Sequence, residues 1–504
     1  MKFKNILGRR EMLNCVLCND APCDKACPLK LEPSRQLRSI WFANDGGAAL
    51  RLAAECSCAE CLAPCEDACL RSGLVPIKKL FSRLTMEVFP KLPLERMPEE
   101  NILCTELCGV PLENPFLLSS SVVASNYDMC ARAFEAGWAG AAFKTICTLD
   151  IHEASPRFSA IKGAGGTFMG FKNIEQLSDH SVPENMEVFR RLKKEYPTKF
   201  ILASIMGQNE KEWEELSRTC EENGADAIEL NFSCPNMMEG GLGSDIGQVP
   251  DLVERFTAAA RKGTKLPILA KLTPNVAEMS PAAEAAKRGG ADGLAAINTI
   301  KSVMEIDLDT YVSSPNVHGK SAVGGYSGRA VKPIALRFIA ELAQNPKLSG
   351  MHISGMGGIE TWRDALEFML LGAGSVQVTT SVMQYGYRII EDLKSGLACF
   401  LTEKGCQHVE DIRGRALANV SYTTDSLERD SIVYPKFDRK KCMGCGRCEI
   451  SCADGGHQAI HLNAMRKPVL DGKRCVGCHL CVLVCPEGAI WGTGKRIKLD
   501  GGIK

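Results

Sequence analysis

Residues 224–235 read Gly-Ala-Asp-Ala-Ile-Glu-Leu-Asn-Phe-Ser-Cys-Pro, and this stretch decides the fold. Its glycine stops the amphipathic, helix-like stretch Lys211–Asn223, and the short apolar run Ala227–Ser233 then reads as a strand ending in polar groups. The same punctuation returns as Gly-Ala-Asp at 290–292 and Gly-Ala-Gly at 372–374. Working outward, further strands are expected at Leu117–Ser121, Gly140–Ile146, Phe200–Ile205, Ile268–Thr273, Gly293–Thr299, Met351–Gly355 and Ser375–Thr380. Helix-like stretches such as Pro250–Lys262 and Thr361–Leu371 lie between them. Eight strand–helix units in roughly 300 residues suit a TIM (β/α)8 barrel better than an open doubly wound sheet, so chemistry is expected at the C-terminal strand ends.

Length and composition frame this block. A chain of 504 residues has room for two to four domains. Its 60 basic and 60 acidic side chains cancel, so bulk electrostatics argue for neither a nucleic-acid nor a membrane-surface partner. Cysteine is the outlier: 17 of 25 lie in 1–69 and 442–485. The N-terminal residues lack the apolar core of a signal peptide, and no run approaches the ~18 apolar residues of a membrane span. A reduced, cytoplasmic chain whose thiols hold metal or clusters is therefore expected. Three domains follow: a helical, cysteine-rich block over 1–89, which includes the helix-like segment 34–52, the barrel over 100–410, and a second cysteine-rich block over 432–504.

Residues 442–452 spell C-x2-C-x2-C-x3-C, and residues 475–486 repeat the pattern and end in Cys485-Pro486. Two such runs are the signature of a ferredoxin with two [4Fe–4S] clusters, in which the fourth cysteine of each run serves the other cluster. Cys442, Cys445, Cys448 and Cys485 are assigned to one cluster, and Cys475, Cys478, Cys481 and Cys452 to the other. Gly444, Gly446 and Gly477 let the loops wrap closely. Zinc ribbons would instead want paired C-x2-C knuckles.

The N-terminal block has Cys15-x2-Cys18-x4-Cys23-x3-Cys27-Pro28, then Cys56, Cys58, Cys61, Cys65 and Cys69. It resembles the N-terminal iron–sulfur domain of the glutamate synthase small subunit and of dihydropyrimidine dehydrogenase. That resemblance implies that Cys15, Cys18, Cys23 and Cys69 hold one [4Fe–4S] cluster, and that Cys27, Cys61 and Cys65 hold most of a second. The spacing of the second half departs from the family pattern, so the fourth ligand stays open between Cys58, the preferred choice, and Cys56. Zinc binding is the alternative use of these thiols.

The central block carries Asn114-Pro-Phe-Leu-Leu-Ser-Ser-Ser121, Phe143-Lys-Thr145, Phe171-Lys-Asn-Ile-Glu175, Glu229-Leu-Asn-Phe-Ser-Cys-Pro235, Ala270-Lys-Leu-Thr-Pro-Asn275 and Ile297-Asn-Thr299. With Gly325-Tyr-Ser-Gly328, Gly357-Gly-Ile359 and Gln377-Val-Thr-Thr380, these resemble the FMN-binding barrel of dihydropyrimidine dehydrogenase. The likeness is closest to the catalytic subunit of the bacterial NAD-dependent type. Dihydroorotate dehydrogenases share the barrel but typically lack the fused double ferredoxin.

Several positions also answer to physical reasoning. Phosphate in such barrels sits at the loops after strands seven and eight, where Gly357, Gly358, Thr379 and Thr380 offer backbone N–H groups and hydroxyls, with Ser327 and Gly328 nearby. Lys144 and Lys271 end apolar strands, where a buried amine needs a negative partner. The resemblance implies that both contact FMN, with Ser119, Ser120, Thr145 and Asn231, and that Lys271 stabilises the reduced anion. Amide side chains match the alternating donors and acceptors of a pyrimidine edge. The resemblance accordingly assigns Asn173, Glu175, Asn231, Ser233, Asn298 and Thr299 to the substrate. Cys234 opens a glycine-rich loop, Met237 to Gly247, and its thiol can supply the proton that accompanies hydride transfer to a C5=C6 double bond.

No G-x-G-x-x-G run occurs in the sequence. The resemblance implies that NAD(P)H is used only through a partner, either an FAD/NAD-binding flavoprotein subunit or a ferredoxin-like donor, and an oligomeric assembly is expected. Interconversion of uracil or thymine with the 5,6-dihydropyrimidine is the expected activity. A dihydroorotate dehydrogenase-like or other FMN ene-reductase and a non-catalytic electron-transfer subunit are the alternatives.

Overall fold

The computed structural model describes residues 12–53, 58–71, 73–237, 242–492 and 497–498. The chain forms two compact units, Met1–Val420 and Ser421–Lys504.

In the first unit, the Gly-Ala-Asp signal works as a two-part device. Gly224, Gly290 and Gly372 adopt φ of +98°, +100° and +106°, the left-handed conformation that ends a helix at little cost for glycine. The aspartate then pins the start of the neighbouring strand: Asp226 accepts from Ile201 N at 2.8 Å, and Asp292 accepts from Ile268 N at 2.8 Å. Lys193 and Arg261 neutralise these two carboxylates from the flanking helices.

Eight parallel strands close into a barrel: β1 Phe116–Leu118, β2 Gly140–Ala142, β3 Phe200–Ile205, β4 Ala227–Asn231, β5 Ile268–Lys271, β6 Gly293–Ala296, β7 His352–Met356 and β8 Ser375–Val378. The register Val376↔Phe116 joins the last strand to the first. All eight were expected, but most end earlier than their apolar runs. The residues past each end, such as Ser119–Ser121 and Lys144–Thr145, leave the ladder and turn around the barrel mouth. The helices Glu210–Glu222, Pro250–Gly263 and Trp362–Leu370 begin and end within one residue of expectation, and Thr361 and Asp364 close the last with a capping box.

A second sheet was not read from the sequence. Strands Phe158–Lys162, Phe168–Asn173, Gly324–Ser327 and Ile300–Ser302 pair antiparallel, built from the excursions after β2 and β6. Glycines and charges interrupt their apolar alternation, and only long-range pairing makes them strands.

The N-terminal segment is helical. Its single helix-like stretch 34–52 is two helices, Pro33–Trp41 and Asp45–Ala53, because Ala43 turns to φ +58° and Asn44 Oδ1 accepts from Gly47 N. A buried polar seam fastens this segment to the barrel. Arg38 pairs with Asp392 at 2.7 Å and also with Glu391, Asn44 donates to Ser395, and Trp362 Nε1 donates to Ala43 O.

The second unit is a pseudo-repeat. Helices Arg447–Gly455 and Leu480–Leu483 accompany the antiparallel pair Pro435–Phe437/Ile490–Gly492 and the hairpin Ile460–Leu462/Pro468–Leu470. Among the described residues, no helix is long and apolar enough to cross a membrane.

Candidate active site

One cavity opens at the C-terminal ends of the barrel strands, with the second sheet forming part of its wall. Ser119, Ser120, Lys144, Thr145, Lys271, Ser327, Gly328, Gly357, Gly358, Thr379 and Thr380 all line it, as do Asn173, Glu175, Asn231, Asn298, Thr299 and Cys234. Ser233 lies behind the wall, fully buried, where its hydroxyl donates to Asn231 Oδ1 and accepts from Asn298 Nδ2, both at 2.8 Å.

The amide group is therefore held from behind. Asn231 Nδ2 donates to Thr145 Oγ1 at 2.8 Å, and Asn236 Nδ2 donates to Asn173 Oδ1 at 3.1 Å and to Glu175 O at 2.6 Å. Asn236 was not singled out from the sequence, since an asparagine after a Cys-Pro reads as an ordinary turn residue.

Both buried lysines already have carboxylate partners. Lys144 Nζ lies 3.7 Å from Glu153 and 3.8 Å from Glu175, and Lys271 Nζ lies 3.2 Å from Glu229. Burial raises the Glu175 carboxyl above its ordinary range, against the opposing pull of Lys144 and Arg157. Neither Glu153 nor Glu229 was picked as a site residue. The available signal for Glu229 was a carboxylate inside an otherwise apolar strand.

Gly357, Gly358 and Gly328 have φ of +119°, +78° and +88°, and a Cβ on Gly358 would come within 2.9 Å of Gly328 O and Lys332 N. The turn at Gly358 therefore has room only for glycine. Beside it, Ser327 Oγ lies 2.9 Å from Thr380 Oγ1, and Ser121 Oγ lies 3.0 Å from Thr379 Oγ1. On the cavity walls, Gln377 Oε1 and Asn236 Oδ1 are buried acceptors with no partner among the described residues. An open backbone cradle, paired cations and unpartnered acceptors together fit a flavin phosphate and heterocycles with N–H edges.

Cys234 is buried, and that burial pushes its thiol up to about 11, although Lys271 and a backbone N–H at Asn236 pull the other way. The thiol keeps its proton at neutral pH more firmly than a free cysteine would. Residues 238–241 of the following loop lie outside the described residues, while Leu242 to Gly247 pack against the Cys234 backbone through Ser244 N→Cys234 O at 2.9 Å.

In the second unit, Cys442, Cys445, Cys448 and Cys485 line one small cavity, and Cys452, Cys475, Cys478 and Cys481 line another. Among the described residues, no three His, Cys, Asp or Glu side chains converge on a single ion position. Four cysteines around each cavity are the donor set that a [4Fe–4S] cubane takes. Backbone N–H groups of Gly444, Ala459, Gly477 and Ala489 donate to the sulfurs of Cys442, Cys452, Cys475 and Cys485 at 3.2–3.4 Å. In the N-terminal segment, Cys23 feels Asp24, Cys15, Cys69 and Cys18, while Cys65 feels Cys27 and Cys58. Burial leads in pushing these two thiols up, to about 12 and about 11. Cys56 lies outside the described residues.

A closed parallel barrel with this cavity, joined to a two-cluster cysteine unit, defines an FMN- and iron–sulfur-dependent oxidoreductase. The dihydroorotate dehydrogenase family matches residues 102–401, and the 4Fe-4S dicluster domain matches residues 436–491. The chain is 54% identical over 358 residues to the Escherichia coli (strain K12) NAD-dependent dihydropyrimidine dehydrogenase subunit PreA, covering 71% of this chain and 87% of that one. It is 38% identical over 334 residues to the chloroplastic dihydropyrimidine dehydrogenase (NADP(+)) of Arabidopsis thaliana, covering 64% and 78%. The catalytic subunit of dihydroorotate dehydrogenase B (NAD(+)) from Pyrococcus horikoshii is 36% identical over 323 residues, covering 63% and 99%. A crystal structure of DHODH from Eimeria tenella, in complex with ferulenol, shares the fold at TM-score 0.52 and 20% identity, covering 64% and 90%. The chain belongs to the dihydroorotate dehydrogenase family and, within it, to the dihydropyrimidine dehydrogenase subunits of the NAD-dependent type.

Proposed function

We propose that this chain interconverts uracil or thymine with the 5,6-dihydropyrimidine. The observation that carries this reading is the convergence of Cys234, the asparagines 173, 231 and 298, and the two lysines on one cavity. Bound FMN supplies hydride chemistry. Asn173, Asn231, Asn298 and Thr299 orient the pyrimidine edge, with Glu175 beside them, and Ser233 steadies two of the amides. Cys234 Sγ gives its proton to the carbon that does not receive hydride, and in the reverse direction it takes that proton back. Lys144, Lys271 and the glycine–threonine cradle hold the flavin, with Ser119, Ser120, Thr145 and Asn231 along it.

Domain limits of 1–89, 100–410 and 432–504 suit this division of labour. Cys15, Cys18, Cys23 and Cys69 hold one N-terminal cluster, and Cys27, Cys58, Cys61 and Cys65 hold the other. Cys58 is favoured as the fourth ligand because Cys65 feels both Cys27 and Cys58. Electrons travel between FMN and an NAD(P)H-oxidising flavoprotein partner through these clusters and the two of the second unit. The setting is the cytoplasm, and the assembly an oligomer.

Anaerobic assays with uracil, thymine and orotate side by side, using a chemically reduced viologen as donor, test the reading. Uracil or thymine turnover that falls at least about a hundredfold in Cys234→Ala, with FMN retained, is the expected result. Turnover of orotate alone, or wild-type turnover in Cys234→Ala, would overturn it.

A further inference from the structure

Glu229 has no part in the chemistry above, yet it is a fully buried charge with three side-chain donors. It lies in β4 at 0% exposure. Three donors converge on it: Ser120 Oγ at 2.9 Å, Lys271 Nζ at 3.2 Å and Gln377 Nε2 at 3.2 Å. They come from β5, from β8 and from just beyond β1, and all three line the cavity. Barrel interiors of this kind are ordinarily filled by branched apolar side chains, so a carboxylate here has to be built in with its partners.

The satisfaction continues away from the cavity. Gln377 Nε2 also donates to Ser354 Oγ at 3.2 Å, Ser375 Oγ donates to Ser354 Oγ at 2.9 Å, and His352 Nε2 lies 2.9 Å from Ser375 Oγ. His352 is a neutral imidazole in this position, since burial pushes it down to about 3. The formal charges along this chain are therefore Glu229 and Lys271, which cancel.

We propose that Glu229 is a positioning residue for the flavin site: it holds Lys271 and Ser120 in place and, by cancelling the Lys271 charge, limits how far the site favours a reduced, anionic flavin over the oxidised, neutral one. This rests on the FMN reading above. An unopposed ammonium beside an anion attracts it strongly where water is excluded, whereas a paired one attracts it far less. Glu229 thus keeps the site able to pass electrons in both directions instead of trapping the reduced form.

The test uses the full holoprotein and reads FMN itself, not turnover. The midpoint potential of bound FMN, measured against that of free FMN in an anaerobic dye-linked titration, gives the ratio of affinities for reduced and oxidised flavin. Glu229→Gln is expected to raise that ratio about tenfold, and Lys271→Met to lower it by a similar factor. The double variant should return towards the wild-type value. Glu229→Asp keeps the charge but withdraws it by one methylene. It is the second arm should Glu229→Gln fail to fold, with a rise of about threefold expected. A carboxylate that only fills space would weaken both affinities equally and leave the ratio unmoved in either soluble variant, which would overturn the proposal. Wild-type protein that binds no FMN would overturn both this inference and the activity it rests on, whereas unmoved ratios with bound FMN would overturn this inference alone.

Discussion

Asn298 Nδ2 donates to Ser233 Oγ at 2.8 Å, and the same hydroxyl donates to Asn231 Oδ1 at 2.8 Å. One buried serine, adjacent in sequence to Cys234, therefore links two cavity amides, one at the end of β4 and one just beyond β6. Ser233→Ala removes the hydroxyl that couples the two amides, leaving Asn231 held by Thr145 Oγ1 and the residue 233 backbone N–H, and Asn298 by Thr299 N alone. Uracil KM is expected to rise about tenfold with kcat reduced less, consistent with the cost of losing one or two hydrogen bonds at a buried site. Steady-state kinetics on the FMN-replete variant check this.

The buried thiol of Cys234 predicts an asymmetric pH dependence. Because burial raises it to about 11, its acid form is present throughout the neutral range. The rate of pyrimidine reduction should be flat between roughly pH 6 and 9, while dihydropyrimidine oxidation, which needs the thiolate, should rise up to about tenfold per pH unit. Rate profiles of the chemical step in both directions, measured with the same preparation, test the assignment. A reduction rate that falls with pH near 8 would identify a thiol of ordinary acidity.

Cluster content discriminates between Cys58 and Cys56. Cys58 is buried and is felt electrostatically by Cys65. Cys58→Ser is expected to lose about four iron atoms per chain, leaving Cys56→Ser at wild-type content, since a cubane with one thiolate missing is poorly held. Iron analysis together with electron paramagnetic resonance of the reduced protein resolves one lost cluster from general instability.

Asp392 is 1% exposed and meets Arg38 at 2.7 Å across the seam between the N-terminal helices and the barrel. Removing the cation strips a buried carboxylate of its direct ion pair, leaving Ser39 and Asn44 as donors and Arg51 and Arg388 as the nearby positive charges. Arg38→Met should destabilise this seam by about 3 kcal/mol. The expected signature is a separate, earlier unfolding transition and faster proteolysis of the N-terminal segment, with FMN still bound.

Much of the architecture was legible because its signals are local. Gly224, Gly290 and Gly372 end helices through their own backbone freedom, and the apolar runs after them are strands whatever lies beside them. The grouping of eight cysteines of the second unit around two cavities was legible for the same reason: their spacing is itself the geometry. What stayed hidden depends on partners far apart in the chain. The sheet beside the cavity needs residues 158–173 to meet 300–327, and nothing within either stretch announces the other. Lys144 and Lys271 were expected to contact the flavin, and the carboxylates that also pair with them, 9 and 42 positions away, could not be read from either local stretch.

By itself, the sequence determined the class of the protein: a β/α barrel, a two-cluster cysteine unit, and a set of amides, lysines and one thiol at strand ends. Composition, periodicity and spacing are short-range quantities, and they suffice for elements and for ligands that lie in one loop. The tertiary structure decided how those groups act. It buried Cys234 enough to hold its proton, moved Ser233 from the cavity to a post behind it, and placed Glu229 beneath Lys271 as its matching charge. Acidity and charge balance depend on everything packed around an atom, and that surrounding exists only once the barrel has closed.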